Sequence, residues 1–140
     1  MTSIAEIVAE RYKQHREREK VTPEAWRCLT TNVYILCSNG GRALSIMESE
    51  KGDYLRITSI FSRSSVSLRL DKQYCEVTGT LYRYNPIRPD REDVTETTYT
   101  ISPLGHYIKL IKNESDDRAN ALMTPAQVAE DTLRSYLELD

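Results

Sequence analysis

The chain has 140 residues and a mass of 16.1 kDa, long enough for one domain to bury a single core without disulfides or metal. Its net charge of −2 and pI near 5.8 exclude a global positive field, so binding to nucleic acid or an anionic membrane would need a local patch. Nine tyrosines stand against one phenylalanine and one tryptophan. Tyrosine pairs an apolar ring with a polar tip, so this balance points to half-buried sheet faces and interfaces rather than to a thick, dry core.

The N-terminal "MTSIAEIVAERYK" becomes charged too early for a secretory h-region, and no run approaches the ~18 apolar residues that span a bilayer. Cys28, Cys37 and Cys75 are odd in number and irregularly spaced. Without a secretory signal they read as free thiols in a reducing compartment, which predicts a soluble, cytoplasmic protein and makes the Asn113-Glu114-Ser115 sequon moot.

In chain order, Ser3-Ile-Ala-Glu6 is a capping box, and Ile4, Ile7, Val8 and Tyr12 follow as one apolar helical stripe. "RYKQHREREK" (11–20) is polar all round, so a helix there projects into solvent or lies against a partner. Its five basic residues are diluted by Glu17 and Glu19, which favours a solvated face with intrahelical ion pairs over a nucleic-acid arm. Thr22-Pro23-Glu24 restarts a short helix with Trp26 and Leu29 inward.

A β region spans 33–112. "VYILC" (33–37) reads as a strand, with Asn39-Gly40-Gly41 as the tight turn into "RALSIM". "YLRITSIF" (54–61), "VSLRL" (66–70), "QYCEVTGTLYRY" (73–84), "VTETTYTI" (94–101) and "HYIKLIK" (106–112) complete seven strands. Gly79 suggests a bulge or a close backbone approach. "NESDDRANA" (113–121) reads as a polar loop. Thr124-Pro125-Ala126-Gln127 then opens a capped helix over 124–139 with Val128, Leu133, Tyr136 and Leu137 inward.

The predicted architecture is α+β within one domain, 1–140: an antiparallel meander of about seven strands, curved or closed into a barrel. N-terminal helices (1–31) and a capping C-terminal helix flank it. In element order the seven strands and helix match a pleckstrin-homology-like barrel; a lipocalin-like barrel and a one-sided curved sheet are alternatives.

The candidate site is "TLYRYNPIRPDRED" (80–93). Alternation places Tyr82 and Tyr84 on one face, continuing Tyr74, Glu76, Thr78 and Thr80, with Leu81 and Arg83 opposite. One reading is a half-solvated sheet face; the other is a stacking platform of Tyr74, Tyr82 and Tyr84 with Arg83, Arg88 and Arg91 gripping phosphates. Six basic residues against three acidic ones between 63 and 91 give a local charge of +3. The cysteines with His15 and His106 lack zinc spacing, and Cys37 and Cys75 read as small buried hydrophobes. No nucleophile elbow, phosphate loop or H-E-x-x-H is present, and the Asp116-Asp117 pair falls in the polar loop, where nothing would raise a pKa.

The function expected is therefore non-enzymatic, without metal or cofactor: a regulatory adaptor or inhibitor that binds protein through a Tyr-rich sheet face. A bare "VYILC" edge predicts self-association, as a homodimer. The alternatives are nucleic-acid or nucleotide-phosphate binding through the Tyr/Arg face at 74–91, and a barrel holding a small apolar ligand.

Overall fold

A computed structural model describes residues 2–110 and 122–138. The elements are α1 (Ile4–Asn39), β1 (Leu44–Glu48), β2 (Tyr54–Ser59), β3 (Ser65–Asp71), β4 (Glu76–Tyr84), β5 (Glu92–Ile101), β6 (Tyr107–Leu110), β7 (Leu122–Met123) and α2 (Pro125–Leu137). The seven strands form one antiparallel sheet in sequence order, curled as a half-barrel between edge strands β1 and β7. The expected α+β class and meander are what the chain adopts. The 113–121 loop with its Asp116-Asp117 pair, and the last two residues of "HYIKLIK", lie outside the described residues.

The largest departure is at the N-terminal end, where a single 36-residue helix replaces two helices and a strand. Trp26, Leu29, Val33 and Cys37 recur three and four residues apart and are all buried. That spacing is one continuous helical stripe, and it carries the helix through Pro23 and on through "VYILC". Within that run Tyr34 and Ile35 are exposed, which a buried strand would not allow. A short apolar run cannot be told from a buried helix by hydrophobicity alone, and here tertiary packing decided for helix. Thr22 does not cap a new helix; its hydroxyl donates back to the Arg18 carbonyl at 2.7 Å. Asn39-Gly40-Gly41 ends α1 instead of forming a hairpin, with Gly41 at φ +66° and its amide bonded to the Ser38 carbonyl at 3.0 Å.

The seventh strand is β7, a short edge strand that pairs Tyr107 with Met123 and was not foreseen from sequence. β4 begins three residues later than expected, because Asp71 accepts the amides of Gln73 and Tyr74 at 3.0 and 3.2 Å and holds a turn there. Gly79 pairs with Leu68 in unbroken register, so no bulge forms. Cys37 and Cys75 are buried as expected, although in α1 and in a turn rather than in strands.

Both helices pack on one face of the sheet, its inner face. Leu55, Ile57, Val66, Leu68 and Val77 meet Leu29 and Val33 of α1 and Val128 and Leu133 of α2 in a single core. Three of the nine tyrosines, Tyr99, Tyr107 and Tyr136, also belong to this core. Each finds a partner for its hydroxyl: Asp131 at 2.6 Å, the Ala25 carbonyl at 2.9 Å, and Ser59 Oγ with the Ser64 carbonyl at 2.9 Å. Tyr99 and Tyr107 meet edge to face, with ring centroids 6.5 Å apart. Tyrosine thus substitutes for phenylalanine inside this protein, tying the core to polar atoms at its margins.

Arg18 marks where α1 joins the body. Its guanidinium donates to the carbonyls of Ile101 and Tyr74 at 2.8 Å and of Cys75 at 3.2 Å. Before it, residues 2–14 are all exposed, including the whole stripe of Ile4, Ile7, Val8 and Tyr12. At 1.5 Å per residue the stretch from Ile4 to Glu17 forms an arm of about 20 Å.

Candidate functional site

Successive side chains of a strand alternate faces, so the register assigns each residue to the inner or outer side. On the outer side, Arg56 stands opposite Ser67 and then Thr80, while Tyr54 stands opposite Arg69 and then Thr78. Ser65 stands opposite Tyr82. The serines of β3 are small, which lets Arg56 reach across the strand, bond Ser65 Oγ at 3.0 Å and lie 5.2 Å from the Tyr82 ring centroid. Ser65 and Ser67 are buried beneath this layer. Arg69 lies 5.1 Å over Tyr54. Arg63, in the β2–β3 connection, lies 5.2 Å over Tyr84 and reaches its hydroxyl at 3.3 Å.

Three arginines are therefore each laid across a tyrosine on one face. Among the described residues none of the three has a carboxylate partner. Each stack is worth about 0.5–1 kcal/mol at an exposed site. Its larger consequence is positional, because it holds a cation in place while leaving its charge uncompensated. The outer face is also polarised. Glu92 and Glu96 stand on the outer side of β5, in register with Tyr84 and Thr80. Three strand spacings, about 14 Å, separate Glu96 from Arg56 in the same row.

Of the residues singled out in the sequence, Tyr82 and Tyr84 lie on this face. Tyr74 does not; it sits in the β3–β4 turn with its ring exposed. Arg83 stands on the opposite side, in register with Asp93, and borders a recess of about 260 Å³ with Tyr84, Asn85, Pro86 and Asp93. Arg88 and Arg91 belong to the β4–β5 turn, which the Asn85 side chain organises by accepting the Ile87 amide at 2.9 Å. The structure thus brings Tyr82 and Tyr84 together with Arg56 and Arg63 rather than with Arg83, Arg88 and Arg91.

Arg56, Arg69 and Tyr54 were legible one strand at a time, since "YLRITS" and "VSLRL" alternate. Their meeting with Tyr82 depends on register across two hairpins, which alternation within a strand does not supply.

Elsewhere, His15 is paired with Glu19 at 3.1 Å on the exposed part of α1, and the His106 Nδ1 is buried without a hydrogen-bond partner among the described residues. Burial pushes the Cys37 thiol above its ordinary pKa; burial and the neighbouring Glu24 carboxylate do the same to Cys28. Among the described residues no helix is long and apolar enough to cross a membrane.

Comparison with known protein families, curated proteins and solved structures finds no match for this chain.

Proposed function

We propose that the protein is a non-enzymatic cytoplasmic interaction protein, an adaptor, inhibitor or regulator, whose outer sheet face binds an acidic stretch of a protein partner. The observation that carries this reading is the row of Arg56, Arg63 and Arg69, each held over a tyrosine and none neutralised by a carboxylate among the described residues. Arginine presents a fork that matches a carboxylate, and aromatic stacking lowers the ordering cost of using it. Replacing Arg56, Arg63 and Arg69 together by Gln should abolish capture of acidic partners from native lysate while the protein still melts cooperatively, several degrees lower for the loss of the three stacks. Equal capture by both proteins would refute the assignment.

The same arginines support a second reading, single-stranded nucleic acid, because a guanidinium plane can stack on a base. The rings of Tyr54, Tyr82 and Tyr84 weigh against it, because each already carries an arginine and leaves less aromatic face for a base.

Self-association belongs to the proposal through a different surface from the one the sequence suggested, since "VYILC" is helix. The exposed arm carries Glu6 and Glu10 in its first half, and Arg11, Lys13 and Arg16 with Glu17 in its second. Antiparallel pairing of two arms lays charge −2 against +2 and covers Ile7, Val8 and Tyr12. So small a contact belongs to the weak end of interfaces. Light scattering should show concentration-dependent dimers that Ile7→Glu with Val8→Glu removes; a monomer at high concentration in the unmodified protein contradicts this.

A further inference from the structure

Between the inner face and α2 lies a cavity of about 230 Å³ that the proposed binding face does not use. Its volume exceeds the ~150 Å³ of a sealed apolar cavity that admits benzene, although this pocket is open to solvent on one side. Its floor is apolar, made by Val66, Gly79 and Leu81. The missing side chain at Gly79 helps make the space, since a Cβ there would reach Leu68 Cδ2 at an ordinary 3.5 Å.

Three polar residues of α2, Asp131, Thr132 and Ser135, border the same space, with Thr95 and Thr97 of β5, and two of them have unmet hydrogen-bonding capacity. Thr132 is buried and its hydroxyl has no hydrogen-bond partner of normal geometry among the described residues, although it lies beside Tyr99. A buried, unpaired hydroxyl is a standing cost to the fold unless something occupies the site with it. Asp131 receives the Tyr99 hydroxyl at 2.6 Å and Lys109 Nζ at 3.0 Å, both on Oδ2. Its Oδ1 is left without a partner among the described residues.

The geometry points to a binding site for a small neutral hydroxyl compound, a phenol or alcohol, with its apolar body on Val66, Gly79 and Leu81. One hydroxyl can serve both groups, donating to Asp131 Oδ1 and accepting from Thr132 once that side chain turns its buried hydroxyl toward the pocket. An anion is disfavoured by the adjacent carboxylate, and a cation by Lys109, which already neutralises it. This site is independent of the outer face and stands or falls without it.

The test is a titration of the full-length protein with 4-methylphenol, followed by amide shifts in two-dimensional NMR, with toluene as the hydroxyl-free control. Binding should shift residues around Gly79, Tyr99 and Thr132, and toluene should bind about tenfold more weakly. Thr132→Val should weaken 4-methylphenol by a similar factor without lowering the melting temperature, because it removes an unpaired polar group at constant shape. Gly79→Val, which fills the floor, should abolish binding of both probes. Absence of shifts at these residues up to the solubility limit overturns the site. Equal affinity for toluene, or an undiminished affinity in Thr132→Val, overturns the hydroxyl recognition.

Discussion

A chain ending before Thr124 is expected to show no cooperative thermal transition by circular dichroism. α2 lays Val128, Ala129, Leu133 and Tyr136 on the inner face and against α1, all of them buried. Val128 and Leu133 alone contribute about 1.5–3 kcal/mol each. Loss of Tyr136 leaves the buried Ser64 carbonyl without its hydroxyl donor. Loss of Asp131 likewise unpairs Tyr99, whose hydroxyl resists ionisation because it is buried and bound to that carboxylate. Together these losses approach the ~5–15 kcal/mol that holds a domain folded. A truncated chain that melts cooperatively near the parent temperature would show that the sheet and α1 suffice.

Leu29→Ala should be the most damaging truncation of an aliphatic side chain in α1, costing about 2–5 kcal/mol. Leu29 is fully buried at the middle of the stripe that runs from Ala25 to Cys37, with both sheet and α2 around it. The matching control is Ile7→Ala, the same kind of truncation on the same helix. Ile7 is exposed on the arm, so its replacement should move stability by no more than ~0.5 kcal/mol in the monomer. Urea unfolding at unchanged slope gives both values. Comparable costs at the two positions would mean that the arm is packed rather than free.

The contrast between these leucine and isoleucine positions also shows what could be read from residues alone. α2 was legible because capping box, proline and apolar stripe all agree over one short segment, and it forms with its capping box intact. Most of β2 to β6 was legible for the same reason, turn chemistry and alternation coinciding. α1 was misread where two local signals, Thr22-Pro23 and Asn39-Gly40-Gly41, suited breaks that the packing of Trp26, Leu29, Val33 and Cys37 overrode. β7 is only two residues long, too short for any period to appear. Alternation placed Tyr82 and Tyr84 on a common face correctly, yet their cationic partners came from β2 and the β2–β3 connection. Which arginine lies over which tyrosine is set by register and by the smallness of Ser65 and Ser67, and neither is written into the 80–93 stretch itself.

Fluorescence anisotropy with a labelled glutamate-rich peptide, titrated with the protein at rising salt, tests the outer face most directly. The arginine–tyrosine row predicts binding at low salt that weakens as salt screens the contacts, and that disappears when Arg56, Arg63 and Arg69 are all Gln while the fold is retained. A labelled single strand of DNA in the same titration should bind more weakly than the peptide, because Tyr54, Tyr82 and Tyr84 already carry arginines and leave less aromatic face for bases to stack on. Peptide binding that is equal in the wild-type and triple-Gln proteins, or a DNA strand that binds the wild-type face more tightly than the peptide does, would contradict the assignment.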